Sequence, residues 1–158
     1  MNLKIRLGQI QKNMKEGIIM KWVTREKVHV DRVACPWLIK NFIDSEAEFV
    51  FVSRDTDPES IVDGMPFDMK GVELGHHGEE CSFDAIMKKY NLTGDLALEK
   101  VQEIVRLADT GRENENPIAY VIEILATGYG LNAKNDHETL EREFHLYDAL
   151  YSYFKFKG

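Results

Sequence analysis

Pro36 is the residue that most constrains how this chain can fold. A proline lacks the backbone N–H and is tolerated in a helix only near the first turn, so a helix containing Pro36 must begin just before it. Asp31 is a favourable N-cap, and the apolar residues that follow it have helical spacing. They are Val33, Trp37, Leu38 and Phe42. A helix is therefore predicted from Asp31 onward.

Segments with β-strand character flank this predicted helix. Trp22–Val30 precedes it, and Glu48–Ser53 follows it as a short run of aromatic and β-branched residues. The chain is predicted to extend again over Phe67–Leu74, before the glycine-rich turn Gly75–Gly78.

The second half of the chain is predicted to be helical. Helices are expected to begin at Ser82, to span about Asp95–Thr110, to open at Asn116 before Pro117, and to begin at Asp136. The order of elements favours an α/β or α+β fold with a small β-sheet and a largely helical C-terminal half.

Composition and charge exclude several functional classes. The 158 residues carry a net charge of −7, which disfavours direct nucleic-acid binding by this chain alone. No apolar run approaches the ~20 residues that cross a bilayer. Two cysteines are too few for a disulfide scaffold and favour a reducing compartment. We therefore expect an N-terminal extension over residues 1–20 and one cytoplasmic domain over residues 21–158, with no membrane association.

An acid, a guanidinium and a thiol lie close together at the predicted strand-to-helix junction. They belong to Asp31, Arg32 and Cys35. The free N–H groups of a first helical turn favour anions, and a guanidinium offers forked donors to a tetrahedral oxyanion. The junction is therefore a candidate oxyanion site. A structural role is equally open, with a capping acid, a surface ion pair and a packed thiol.

The densest group of potential metal ligands lies in the ten residues Glu73–Ser82, which include three acids, two histidines and a cysteine. A carboxylate and imidazoles around glycine turns suit a divalent metal such as Mn, Fe or Zn. Adjacent His76 and His77 point to opposite faces of an extended segment, so only one of them is expected to face a shared site. Glu73, His76 and Asp31 are the predicted metal ligands, and a solvated turn is the alternative.

Two thiols and two side chains of the last helix are candidates for redox chemistry or binding. Cys35 and Cys81 both stand at predicted helix entrances, where a thiol ionises more easily. They are redox candidates, with two small buried residues as the alternative. On the last helix, Tyr147 and Asp148 border the apolar stripe and are predicted to close a ligand pocket.

A series of long, ordered motifs spans residues 20 to about 155. The motifs are Met20–Arg25, Val30–Ile39, Phe42–Asp44, Phe67–Asp68, Glu73–His76, Cys81–Asp84 and Tyr147–Tyr151. In these motifs the chain resembles the C-terminal domain of the chromate resistance protein ChrB family. The resemblance implies a role in bacterial chromate resistance. Full-length members are proposed to be chromate-sensing transcriptional regulators, and their longer N-terminal DNA-binding region is not expected in this chain.

The resemblance therefore implies ligand sensing rather than repression by this chain. Its expected partner is chromate or another small oxyanion, which Arg32 and a helix N-terminus can bind and which can oxidise thiols. We expect a sensor or regulatory module that binds a divalent metal, an oxyanion or both. A metal- or thiol-dependent enzyme, such as an oxyanion reductase, is the alternative, and a purely structural interaction domain is a third. The sequence leaves open whether the protein forms a homodimer.

Arg106 marks a departure from the family pattern. Many members have histidine at this position, so this chain lacks a metal ligand if that histidine is one. The spacing of Arg106 and Asp109 is i, i+3, which predicts an ion pair between them on one helix face.

Overall fold

Three short parallel strands form the sheet of this protein. They are β1 (Lys21–Arg25), β2 (Glu48–Val52) and β3 (Met65–Pro66). The strand order is β2-β1-β3, and β1 runs parallel to both neighbours. Lys21 is in register with Glu48, and Trp22 is in register with Met65.

The computed structural model describes residues 19–158 together with Lys12 and Glu16. The predicted extension over residues 1–20 therefore lies almost entirely outside the described residues. Its last residue, Met20, is buried, and its carbonyl oxygen accepts a hydrogen bond of 3.0 Å from the amide of Glu48.

Five α-helices are described between residues 19 and 158. They are α1 (Asp31–Phe42), α2 (Ser82–Lys89), α3 (Leu96–Asp109), α4 (Pro117–Asn132) and α5 (Asp136–Lys157). This small sheet followed by helices confirms the predicted fold class. None of the helices in this part of the chain is long and apolar enough to cross a membrane.

The order of the strands determines where a ligand site can form. Helix α1 connects β1 to β2 on one side of the sheet, and the chain then returns to place β3 on the other side of β1. In open parallel sheets such a reversal leaves a crevice at the carboxyl ends of the strands. Asp31 follows β1 and Asp68 follows β3, so both acids lie at this edge.

An aromatic cluster packs α5 against α1. The indole of Trp37 lies 5.6 to 6.0 Å, between ring centroids, from the rings of Phe42, Tyr147 and Tyr151. Its Nε1 also donates a 2.8 Å hydrogen bond to Oδ1 of Asp148. Tyr147 and Asp148 therefore serve the contact between these helices.

Strand β1 is shorter than the sequence predicts, because it ends at Arg25 rather than at Val30. The carboxylate of Asp136 accepts hydrogen bonds of 3.0 and 2.8 Å from the amides of Lys27 and Val28. Lys27 has a φ of 60° and Val30 a φ of 34°, so the chain turns twice before α1. A positive φ strains a β-branched residue, and Val30 is fully buried, so its surroundings must impose this conformation.

Glu143 of α5 is a buried acid whose two carboxylate oxygens have no hydrogen-bond partner among the described residues. Burial, together with the charge of Glu123, raises its pKa from 4.5 to about 8. Between these two pH values the folded protein therefore holds a proton on Glu143 that the unfolded protein has lost. Ionisation of Glu143 does not reduce the free energy of unfolding below about pH 4.5, and it reduces it progressively as the pH rises toward 8.

We predict that Glu143→Gln reduces the fall in melting temperature between about pH 5 and pH 8. The neutral amide loses no proton over this range, so the variant should melt roughly 2–8 °C above the wild type at pH 8. Circular dichroism melting curves measure this difference. Glu141→Gln changes an exposed acid on the same helix and should reproduce the wild-type profile. Identical profiles for the wild type and Glu143→Gln would contradict the prediction.

Candidate functional site

The side chain of His76 lies among three aspartates at the carboxyl edge of the sheet. Its Nε2 is 3.0 Å from Oδ2 of Asp109, 3.3 Å from Oδ1 of Asp68 and 3.5 Å from Oδ2 of Asp31. These four residues are called the aspartate–histidine cluster below. They come from the start of α1, the loop after β3, the glycine turn and the end of α3.

Asp31 is held between two helices. It is fully buried, its Oδ2 accepts a 2.7 Å hydrogen bond from the amide of Ser82, and its Oδ1 accepts one of 3.1 Å from the amide of Phe83. The prediction that Asp31 caps its own helix is wrong. Val30 is the N-cap of α1, and the Asp31 carboxylate instead satisfies free amides in the first turn of α2.

Asp68 is fixed by two donors. Nε of Arg32 donates a 2.8 Å hydrogen bond to its Oδ2, and the hydroxyl of Ser82 donates one of 2.6 Å to its Oδ1. Helix α2 begins at Ser82 as the sequence predicts, and its N-cap is Cys81. The Ser82 hydroxyl is therefore free to orient a carboxylate of the cluster.

Asp109 and Arg106 do not pair with each other as the i, i+3 spacing predicted. Nε of Arg106 donates 3.0 Å hydrogen bonds to both carboxylate oxygens of the buried Asp84 in α2. Asp109 instead faces His76, and its Oδ1 accepts a 3.4 Å hydrogen bond from the amide of Asp31. Since Arg106 is bound to Asp84, the departure from the family pattern leaves the aspartate–histidine cluster intact.

The cluster carries strongly perturbed pKa values. Burial raises the pKa of Asp31 to about 7, and the charges of Asp68 and Asp109 add to this effect. Burial acts in the same direction on Asp68, but hydrogen bonds from His76 and Ser82 and the charge of Arg32 outweigh it and lower that pKa. Hydrogen bonds to Asp109, Asp31 and Asp68 raise the pKa of His76 to about 12. The imidazole is therefore a cation that balances part of the carboxylate charge.

The cluster opens onto a cleft of about 450 Å³. Arg32, Asp68, Lys70, His76 and Asp109 contribute to its walls. The side chain of His76 is 44% exposed, so the cleft connects the cluster with solvent. Apart from its Nε, the Arg32 guanidinium makes no hydrogen bond to the described residues, which leaves its terminal nitrogens available to a ligand.

Several predicted site residues have other partners. Oε1 of Glu73 accepts a 2.7 Å hydrogen bond from Nζ of Lys89, and Glu73 does not contribute to the cluster. His77 also faces away, since its Nε2 bonds to the carbonyl oxygen of Glu73 at 2.8 Å. Tyr147 is buried beneath the junction, with its hydroxyl 3.4 Å from the carbonyl oxygen of Val30, and Asp148 binds Trp37.

Both redox candidates are buried free thiols. Sγ of Cys35 donates to Oδ1 of Asp31 at 3.1 Å, and Sγ of Cys81 donates to Oδ2 of Asp84 at 3.3 Å. Burial and the charge of Asp31 raise the pKa of both thiols. These effects oppose the easier ionisation expected at a helix N-terminus, so the fold favours the unreactive thiol form.

Asp68 and Asp109 complete the cluster but were not among the residues predicted to form a site. Asp68 lies in the segment Phe67–Leu74 that the sequence predicts to be extended. That prediction is wrong, because the strand is Met65–Pro66 and Asp68 follows its carboxyl end. Asp109 carried no local signal either, because its position depends on how α3 packs against α1.

Three residues of the cluster lie close enough together to hold one metal ion. Neighbouring ligands of an octahedral ion lie about 3.0 Å apart when metal–ligand distances are about 2.1 Å. One ligand atom each from Asp31, Asp68 and His76 lies within 4.8 Å of the others. A ligand set of carboxylate oxygens and one imidazole nitrogen suits Mn²⁺ or Fe²⁺ better than it suits ions that prefer thiolate ligands.

Comparison with known proteins agrees with the motifs noted in the sequence. The family model for the ChrB C-terminal domain matches residues 22–154. The chain belongs to this family. Protein ChrB of Cupriavidus metallidurans is 30% identical to this ChrB-type domain over 136 residues, which are 85% of this chain and 40% of that protein. The chain thus spans less than half the length of that relative. No solved structure matches this chain.

We predict that Asp109→Asn lowers the pKa of His76, because Asp109 is the largest contributor to its elevation. Nuclear magnetic resonance titration of the imidazole resonances measures the change. Asp63→Asn removes an exposed carboxylate that pairs with Lys21 outside the cluster, and should leave the His76 titration unchanged. An unaltered pKa in Asp109→Asn would show that the contact between these two residues is absent in solution.

Proposed function

We propose that this ChrB-type domain binds one divalent cation in the aspartate–histidine cluster and acts as a sensor or regulatory module through occupancy of that site. The proposal rests on one observation, that three carboxylate oxygens lie within 3.5 Å of the imidazole Nε2 of His76. Mn²⁺ and Fe²⁺ are the proposed ions, with Zn²⁺ as a competitor.

Partners of the carboxylates support this assignment. The amide of Ser82 orients Asp31, and the Ser82 hydroxyl and Arg32 orient Asp68. Such contacts hold the ligands of protein-bound metals in position before the ion arrives. A metal ion binds the deprotonated imidazole nitrogen, so binding at Nε2 of His76 would release a proton.

Chelator-treated protein is predicted to bind about one Mn²⁺ per chain, and His76→Ala to weaken this binding by at least about 100-fold. Loss of even a ligand's supporting contact costs about 10–100-fold, so loss of the ligand itself should cost more. Isothermal titration calorimetry measures both affinities. His77→Ala is the matched control, because its imidazole faces away from the cluster.

Three results would count against the cation site. They are absence of Mn²⁺, Fe²⁺ and Zn²⁺ binding by the wild type, equal affinity in His76→Ala, and equal losses in His76→Ala and His77→Ala. Asp68→Asn provides a second test of the same site and should also weaken binding. Its melting curve shows whether it retains the fold.

We further propose that the cleft receives a small tetrahedral oxyanion beside the cation. The cleft has a positively charged wall. It is formed by the ammonium of Lys70 and by the terminal nitrogens of Arg32, which make no hydrogen bond to the described residues. The family resemblance makes chromate the first candidate. Because both cysteines are free thiols, we place the domain in the reducing cytoplasm.

Arg32→Lys is predicted to weaken oxyanion binding by about tenfold or more. Lysine keeps the positive charge but lacks the paired N–H donors with which a guanidinium binds an oxyanion. Molybdate is the appropriate probe for calorimetry, since it is a tetrahedral dianion that does not share chromate's reactivity toward thiols. Arg54→Lys, on the exposed loop after β2, is the control. Unchanged molybdate affinity in Arg32→Lys, or no binding by the wild type, would contradict the oxyanion site.

A further inference from the structure

We propose that the outer face of α4 is a homodimer interface that packs against the same face of a second copy of this chain. Five large apolar side chains on this helix are 36% to 81% exposed. They are Tyr120, Val121, Ile124, Leu125 and Leu131, called the α4 apolar face below.

The helical period separates this face from the side of α4 that the fold already uses. Ala119, Ile122 and Ala126 are buried in the core. At about 100° per residue, the exposed set falls within less than half of the helix circumference, on the opposite side. No described residue covers it, although a surface helix ordinarily presents polar residues there.

The absence of charge on this face argues for a second copy as its partner. Glu123 is the one charged residue of α4, and its carboxylate is held by Nε2 of His29 at 2.9 to 3.0 Å. The chain as a whole carries −7, so two copies repel over most of their surface. An uncharged face meets an equally uncharged one when two copies pack around a two-fold axis.

Gly128 adds an independent feature to the same face. It lies near the centre of the exposed arc, and a Cβ atom built on it meets no atom of the described residues within 4 Å. Glycine lowers the stability of a helix relative to alanine, yet neither its backbone conformation nor packing among the described residues requires glycine here. The notch that it leaves between large apolar side chains admits a side chain from a second copy.

The area of the face fits a modest dimer. A large side chain has roughly 150–200 Å² of surface, so the five contribute on the order of 400–500 Å² per copy. A two-fold axis doubles this to about 800–1,000 Å², close to the minimum of about 1,000 Å² for a specific interface. The dimer should therefore depend on protein concentration.

Sedimentation equilibrium of the full chain at about 1–200 µM tests the proposal. The wild type should form dimers, and Ile124→Lys should raise the dimer dissociation constant at least tenfold because it places a charge in the apolar contact. Val62→Lys is the matched control, since Val62 is 73% exposed and lies outside α4. It should dimerise like the wild type.

A separate readout locates the interface without relying on disruption. In Gly128→Cys, oxidation should join two copies through the new cysteine, because Cys35 and Cys81 are buried. If Ile124→Lys does not retain the wild-type circular dichroism spectrum, Tyr120→Lys replaces it, since Tyr120 is 49% exposed. A wild type that stays monomeric at 200 µM overturns the proposal, because the α4 apolar face would then not be covered by a second copy. A dimer that survives the lysine substitution in α4 overturns it as well.

Discussion

The buried carboxylate of Asp31 is the interaction on which the rest of this structure depends. It belongs to the first turn of α1 and binds the first two amides of α2, so two helix N-termini meet at one charged group. Their dipoles and free N–H groups stabilise the anion, while burial opposes its ionisation. Removing this side chain leaves buried amides without partners, which is costly in any protein.

Local signals in the sequence were sufficient for most of the helices, although Pro36 lies inside α1 at its sixth residue rather than in the first turn. Asn116 caps α4 with its side chain, and Asp95 does the same for α3, as residues of these types before an apolar helical pattern indicate. The end of β1 was mispredicted for a non-local reason. Asp136, more than one hundred residues further along the chain, binds the amides of Lys27 and Val28 and turns them out of the strand.

The same distinction explains which site residues were found. Asp31 and His76 stand in conspicuous local patterns, whereas Asp109 reaches the cluster only through the packing of α3. Glu73 is close to His76 in sequence, but the chain turns at Glu73 and bends at Gly75, and the Glu73 carboxylate pairs with Lys89 of α2 instead. Arg106 similarly prefers a buried partner on another helix to the neighbour that its own helix offers.

The contact between His29 and Glu123 connects the ligand cleft with α4. His29 borders the ligand cleft and stands two residues before Asp31, while Glu123 belongs to the helix that presents the apolar face. If the proposed oxyanion favours one arrangement of this contact and the proposed dimer forms, ligand binding and association of two copies change each other's affinity by the same factor.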